Sequence, residues 1–167
     1  EIYGSSESIL HIWSRLIKSG AHPAGLAARD ILRMEMAYCL YGNDIDETIN
    51  PLEAGLGWIT SFDKEKFIGF DRIQQEKKVG SKRRLVAFSM RERGIPRPGY
   101  KVYADGRNIG YVTSGTQSPL LNTGIGLAYV DTPFNKIGQQ ISILIRNKHL
   151  EAVIIKPPFL KNTSLHL

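Results

Sequence analysis

Two arginines stand four residues apart in the stretch AGLAARDILRMEMAYCLYGNDID, which covers residues 24–46. On a helix Arg29 and Arg33 would share one face, where like charges cost about 0.2–0.5 kcal/mol. A planar guanidinium is suited to bidentate contact with a carboxylate or a similar acceptor. Asp30 offers Arg33 one local ion pair, and Arg29 has no obvious local partner. The spacing leaves two interpretations open, an anion-binding site and a solvated basic helix face.

Aromatic residues follow the two arginines along the chain. Tyr38, Tyr41 and Trp58 could supply flat surfaces for a ring-shaped ligand. Small-molecule sites typically combine such walls with a few placed polar groups. Arg29 and these rings are therefore the candidate binding residues that the pattern indicates.

Cysteine and histidine give weaker signals of chemistry. The single cysteine, Cys39, excludes an internal disulfide and a cysteine-based zinc site, and its neighbours favour an inert, buried thiol. The histidines show none of the spacings of a metal motif, so we expect no metal site. They are His11, His22, His149 and His166.

A basic run lies between positions 77 and 84 and contains Lys77, Lys78, Lys82, Arg83 and Arg84. Such a cluster is able to bind phosphates without sequence preference, but a solvated linker is the favoured interpretation. The formal net charge of +6 favours an acidic partner or an anionic ligand without choosing between them. A basic RNA-binding barrel is a weaker hypothesis, because the predicted strands show no obvious array of exposed aromatics. We expect no nucleic-acid partner.

The elements of the first part of the chain are predicted to be mainly helical. Apolar residues at helical spacing predict helices over residues 5–19, 25–37 and 67–78. Ser5 or Ser6 is a suitable cap for the first helix, and Gly20 suits its end. The segment WITSF, residues 58–62, predicts a strand, and Glu1-Ile2-Tyr3 is typical of the end of another.

From Leu85 onward the pattern changes to short β runs that are separated by turn signals such as Asp105-Gly106. The six candidates are LVAFSM, YKVY, IGYVTSG, IGLAYV, ISILIR and EAVII. Six short strands without helices predict a small antiparallel, jelly-roll-like β-barrel. The fold class is therefore α+β, with one domain over residues 1–80 and a barrel domain over 81–167. No apolar run approaches the ~20 residues of a membrane span, so no membrane association is expected.

A longer motif is more specific than any of these patterns. Residues 22–58, HPAGLAARDILRMEMAYCLYGNDIDETINPLEAGLGW, match the pattern GLxARDxLRLExxxxLYGxDxxxxxxPxEAGLxW in register. In the second half, RGIPRPGYKVY, IGYVTSGTQSPLLNTGIGLAYV and PPF show the same likeness. Essentially the whole chain thus resembles the aminomethyltransferase family, the T-proteins of the glycine cleavage system.

The resemblance implies a function. Family members bind tetrahydrofolate and transfer a methylene group to it from an aminomethyl group on a lipoyl-bearing carrier, the H-protein, with release of ammonia. Glu1 resembles the acidic residue that pairs with the pterin ring, and Arg29 resembles the folate-site arginine of the ARD motif. Tyr38 and Trp58 match positions that line the same pocket. The resemblance implies a bacterial cytoplasmic or a mitochondrial matrix protein.

The resemblance also implies that the chain is the C-terminal part of a longer enzyme. Glu1-Ile2 would end a family strand, and the incomplete folate-binding segment of residues 1–80 would precede the barrel domain. The family's catalytic aspartate has no match here, so we assign no catalytic residue and expect this segment alone to be inactive. Two alternatives stay open, a non-catalytic folate-binding or scaffold module and a folate-coupled demethylase or oxidase of the same superfamily.

Overall fold

The structure is a computed structural model that describes residues 1–64, 66–161 and 163. The chain divides into two compact units, Glu1–Asp30 and the residues from Ile31 onward. The domain boundary predicted near residue 80 stays a prediction. His166 lies outside the described residues. None of the helices in the described part of the chain has the length and apolar character needed to cross a membrane.

The first helix, α1, spans Ser6–Lys18 and confirms the prediction. Ser5 is its N-cap, and the Ser5 hydroxyl accepts a hydrogen bond from the amide of Ser8 at 3.3 Å. At the other end Gly20, with a φ of 92°, donates to the carbonyl of Ile17 at 3.0 Å. Glycine suits this left-handed position because it has no Cβ. Both predicted end signals are thus used.

The second helix, α2, spans Leu26–Glu35 and ends two residues before the predicted limit. The cause is Ala37, whose φ of 56° is incompatible with a continuing helix. Two backbone bonds close this end, from Ala37 to Met34 and from Tyr38 to the carbonyl of Arg33, both at 2.8 Å. This termination places Tyr38 directly after the last helical turn.

The predicted strand over residues 58–62 is wrong. Gly57–Ile59 form a short 3₁₀ turn instead, and the side chain of Trp58 is 83% exposed. Residues 1–3 likewise belong to none of the strands that the structure describes. An apolar, β-branched run becomes a strand only when a neighbouring strand accepts its backbone hydrogen bonds.

The third helix, α3, spans Phe70–Val79, three residues shorter at its start than predicted. Gly69 occupies its N-cap with a φ of 85°, which separates residues 67 and 68 from the helix. The first two lysines of the basic run, Lys77 and Lys78, lie in its last turn, where cations favour the helix dipole.

The six predicted strands are all present: β1 (Arg83–Met90), β2 (Lys101–Ala104), β3 (Arg107–Ser118), β4 (Thr123–Asp131), β5 (Gln140–Ile145) and β6 (Lys148–Ile155). Every neighbouring pair is antiparallel, and the order β1-β4-β3-β2-β5-β6 closes into a barrel. Closure leaves no edge strand with unpaired backbone groups. The predicted antiparallel six-stranded barrel is thus confirmed.

Both faces of strand β1 are buried. Val86 and Phe88 point into the barrel core, which consists mainly of Val, Ile and Ala side chains from all six strands. Ala87, the residue between them, points to the outer wall, where it joins a second buried cluster. That cluster consists of Met34, Ala87, Ile125, Leu127 and Phe159. The C-terminal turn of α2, through Met34, is therefore packed on the outside of β1 and β4.

Candidate functional site

The predicted residues Glu1 and Arg29 lie close together within the first compact unit. Arg29 is on the exposed side of α2, and its Nη2 lies 4.0 Å from Oε1 of Glu1. Both side chains are largely exposed, at 68% for Arg29 and 70% for Glu1. The structure thus presents an accessible carboxylate beside an accessible guanidinium, which together offer hydrogen-bond acceptors and donors to a polar ligand.

Glu1 is held in its charged form. The hydroxyl of Tyr3 donates a hydrogen bond to the Glu1 carboxylate, and this contact is the main cause of its lowered pKa. The positive charge of Arg29 lowers the same pKa further. The carboxylate is therefore an acceptor for N–H donors at neutral pH.

The predicted residues Tyr38 and Trp58 both line one cavity of about 890 Å³ in the second compact unit. Their side chains are 54% and 83% exposed, so both rings are available to a ligand. Most of the remaining wall is apolar, with Leu56, Leu85, Leu127, Ile137, Ile155 and Pro158 among its residues. Two cations, Arg84 and Lys136, stand at this wall. The cavity suits a flat, largely apolar ligand with a polar or anionic end.

Arg33 has a different environment from Arg29, although the two arginines stand one helical turn apart. Its Nη1 donates to Oδ2 of Asp44 at 2.7 Å and to the carbonyl of Tyr38 at 3.2 Å. Its Nη2 donates to the hydroxyl of Ser114 on β3 at 3.0 Å. The Arg33 side chain is 11% exposed, and that of Asp44 is fully buried. The hydrogen bond to Ser114 joins Arg33, in the last turn of α2, to the barrel wall.

Asp44 is the centre of the buried network. Its Oδ1 accepts from the hydroxyl of Thr113 at 2.5 Å, and its Oδ2 accepts from the amide of Leu40 at 2.9 Å. Its carbonyl accepts from the hydroxyl of Tyr129 at 2.8 Å. Burial, the largest cause, raises the pKa of Tyr129 well above its usual value, so this phenol stays a neutral donor. Sequence reasoning missed Asp44 as the partner of Arg33, although Asp44 stands in register in the quoted motif.

Glu35 makes a second buried contact with the barrel. The hydroxyl of Ser118 at the end of β3 donates to its Oε1 at 2.5 Å. The backbone amides of Phe159 and Leu160 both donate to its carbonyl, at 3.0 and 3.1 Å. These bonds hold the end of α2 in place and therefore fix the start of the segment that carries Tyr38.

Cys39 is half-buried beside this network. Burial raises the pKa of its thiol, and the negative charge of Asp44 raises it further. The thiolate is the nucleophilic form, so a raised pKa makes Cys39 a poor nucleophile. Among residues 1–64, 66–161 and 163, no three histidine, cysteine or acidic side chains are grouped as metal ligands would be.

Comparison with known proteins gives the same family along the whole chain. A model described as the GCVT N-terminal domain matches residues 1–64, and one described as the glycine cleavage T-protein C-terminal barrel domain matches residues 83–161. The aminomethyltransferase of Bacteroides fragilis is 48% identical over 96% of this chain, and that of Porphyromonas gingivalis is 49% identical over the same share.

A solved structure of the same family also resembles this chain in its three-dimensional fold. The crystal structure of the glycine cleavage system aminomethyltransferase T from Bartonella henselae matches with a TM-score of 0.82 at 28% identity. The match covers 93% of this chain and 44% of that one. The chain likewise spans 46% of the length of the two bacterial relatives. Both halves of the chain thus match the same family, and the chain belongs to the aminomethyltransferase family of glycine cleavage T-proteins.

Proposed function

We propose that the protein carrying this chain is the aminomethyltransferase of a glycine cleavage system. It transfers a methylene group from an aminomethyl group on the lipoyl arm of an H-protein to tetrahydrofolate, and ammonia is released. Family membership along almost the whole chain supports the reaction. The observation that carries the binding role is the accessible Glu1–Arg29 pair with its 4.0 Å separation.

In this proposal Glu1 and Arg29 contact the polar groups of the folate. The Glu1 carboxylate accepts hydrogen bonds from the amino and ring N–H groups of the pterin. Arg29 offers its guanidinium to a carbonyl or an anionic group of the same ligand. Arg29 is available for this role because most of its side chain is exposed, whereas the neighbouring Arg33 is committed to Asp44.

Tyr38 and Trp58 are proposed to supply flat apolar surface for the folate. Their exposed rings border a cavity that is mostly apolar, which fits the contact that an aromatic ring system requires. The Schellman-type end of α2 fixes the backbone of Tyr38, so its ring needs little reorganisation on binding.

In this proposal the ligand supplies the reacting atoms and the chain supplies binding and orientation. Tetrahydrofolate supplies the nucleophilic nitrogen and carries the one-carbon unit, while the residues of this chain bind and orient it. Glu1 and Arg29 fix the ligand by polar contacts, and the two rings restrict its remaining freedom. We assign no proton transfer to a residue of this chain.

The test is calorimetric titration of the complete protein with tetrahydrofolate. We expect Arg29→Ala to weaken binding by about 1.5–3 kcal/mol, the usual contribution of a hydrogen bond to a charged group. Arg15→Ala, which removes an exposed arginine from α1, is the matched control and should leave the affinity unchanged. Equal affinity for wild type and Arg29→Ala contradicts the assignment of Arg29.

A second measurement addresses the reaction. The complete protein is incubated with an aminomethyl-loaded H-protein, with and without tetrahydrofolate, and the released ammonia is measured. We expect multiple turnovers only when tetrahydrofolate is present. Turnover of an N-methylated amino acid, with no ammonia from the loaded carrier, would instead indicate a demethylase or oxidase of the same superfamily.

A further inference from the structure

A cavity of about 1240 Å³ lies at the barrel end where β1, β3 and β5 finish. Three segments form its wall. They are the loop of residues 91–100 after β1, the turn between β3 and β4, and the turn between β5 and β6. The basic run near the start of β1 is at the opposite barrel end. Neither the folate residues proposed above nor the cavity of Tyr38 and Trp58 belongs to this wall.

The wall is strongly cationic. Its charged residues are Arg91, Arg93, Arg97, Arg146, Lys148 and one acid, Glu92. The acid is already engaged, because Oε2 of Glu92 accepts from the amide of Glu151 at 2.7 Å. Within residues 1–64, 66–161 and 163, none of the five cationic side chains forms an ion pair or a hydrogen bond. Five positive charges and the single negative charge of Glu92 thus face one concavity, which leaves a local excess of four positive charges.

The fold does not use these cations to hold the loop. Backbone contacts do so, with the amide of Arg91 donating to the carbonyl of Glu151 and that of Gly99 to Val112, both at 2.8 Å. Within the loop Pro96 is fully buried, and a Cβ on Gly115 of β3 would lie 2.6 Å from the carbonyl oxygen of Pro96. The loop is therefore packed closely on the barrel end, and its arginine side chains have no structural task there.

We propose that this cavity binds a small molecule that carries several adjacent phosphate groups. Arginine presents a planar fork of donors that matches the oxygens of phosphate, and four of the five cations are arginines. The mouth of a β-barrel is a common position for a small-molecule site, and the volume is ample for a ligand of nucleotide size. Ile145, Leu150 and Tyr100 add apolar wall beside the charges.

A small ligand is favoured over an acidic protein surface because the charges line a concavity. Protein interfaces of stable complexes are broad patches with an apolar centre, whereas here the cations surround the recess itself. The phosphate groups could belong to a nucleoside triphosphate or to an inorganic polyphosphate, and the two sources share the chemistry that the arginines recognise.

The experiment is calorimetric titration of the complete protein with sodium tripolyphosphate, ATP and citrate at an ionic strength of about 0.15 M. We expect saturable binding of both phosphate compounds at one site, and weaker binding of citrate. Tighter binding of ATP identifies a nucleotide ligand, and equal affinity identifies the phosphate chain alone. Citrate that binds as tightly as tripolyphosphate overturns the assignment of the ligand class.

Two triple variants with the same change in net charge locate the site. R93Q/R97Q/R146Q removes cavity charges, and we expect it to weaken tripolyphosphate binding about a hundredfold or more, since one charge-assisted contact contributes about tenfold. K82Q/R107Q/K156Q removes exposed cations from the opposite barrel end and should change binding less than about threefold.

Several results would overturn the proposal. The first is the absence of saturable binding, and the second is equal weakening of tripolyphosphate binding in the two triple variants. The third is that the cavity binds an RNA or an acidic protein but neither of the small phosphate compounds. Thermal unfolding of each variant confirms that it is folded. Tetrahydrofolate titration of the same samples separates this site from the proposed function, because we expect unchanged folate affinity in both variants.

Discussion

At the scale of single residues, the two arginines of α2 show how burial decides the role of a side chain. Arg29 and Arg33 share a helix and a spacing of one turn, yet one side chain is 68% exposed and the other 11%. The exposed Arg29 presents its donors to solvent, as the proposed folate contact requires. The buried Arg33 donates hydrogen bonds to Asp44, Ser114 and the backbone, so its role is structural.

We predict that Arg33→Ala destabilises the protein by about 3–5 kcal/mol, because it leaves the fully buried Asp44 carboxylate without its cation. Arg29→Ala is the matched control on the same helix and should cost about 1 kcal/mol or less, as for a surface pair. Urea unfolding of the complete protein, followed by the fluorescence of its tryptophans, measures both. A loss of less than about 1 kcal/mol for Arg33→Ala would show that the network is dispensable.

At the scale of elements, the barrel strands were predictable and the isolated strand was not. The six barrel segments combine β-forming residues with turn signals between them, and each finds an antiparallel neighbour. The WITSF segment also contains β-forming residues, but it pairs with none of the described strands, and its first residues belong to a 3₁₀ turn. Local composition predicts a strand only where the topology provides a partner.

The residues proposed for the candidate site came from the sequence, and their role stays a prediction, whereas the contacts that support them were not predicted. Residue type and spacing already indicated Arg29, Tyr38 and Trp58, and the resemblance added Glu1 and a folate-binding role for each residue. The bond between Asp44 and Thr113 joins residues 69 positions apart, and that between Glu35 and Ser118 joins residues 83 apart. Such contacts depend on the packing of residues that are distant in sequence, and the spacing of neighbouring residues cannot predict them.

The close approach of strands β3 and β4 gives a prediction at this scale. A Cβ on Gly110 would lie 1.9 Å from the carbonyl oxygen of Tyr129, which belongs to the neighbouring backbone and has little freedom to move. We therefore expect Gly110→Ala to cost about 3 kcal/mol or more, at the upper end of overpacking effects. Thermal unfolding and the far-ultraviolet circular dichroism of the complete protein measure the change.

Gly4→Ala is the control for this substitution. A Cβ on Gly4 would have its nearest contact at 3.7 Å, with the side chain of Ser8, which is an ordinary van der Waals distance. We expect its effect to stay within about 1 kcal/mol. Similar losses for the two variants would mean that the strand contact at Gly110 relaxes more easily than its geometry indicates.

At the scale of the whole molecule, two groups of cations lie at opposite ends of the barrel. One group lines the cavity and consists of Arg91, Arg93, Arg97, Arg146 and Lys148. The other group is the basic run of residues 77–84, which leads into the start of β1 at the opposite end of the barrel. Within that run Arg83 is occupied, because its Nε lies 3.2 Å from Glu53 and its guanidinium covers the ring of Tyr129. The exposed cations of the run, which a partner can reach, are Lys77, Lys78, Lys82 and Arg84. Lys77 also contacts an aromatic ring, because its Nζ lies 4.0 Å from the ring centre of Phe62.

The exposed cations of the basic run give the last prediction, which rests on an acidic H-protein as the partner implied by the family. Opposite charge raises the association rate more than it deepens affinity, so we expect that rate to fall as added salt shortens the Debye length from ~30 Å to ~8 Å. K77Q/K78Q/K82Q should flatten this salt dependence in stopped-flow measurements and leave tetrahydrofolate affinity unchanged. R93Q/R97Q/R146Q changes the net charge equally at the other barrel end and should keep the wild-type slope. Equal flattening in both variants would mean that net charge alone steers the encounter, and an unchanged slope in the lysine variant would mean that the carrier docks elsewhere.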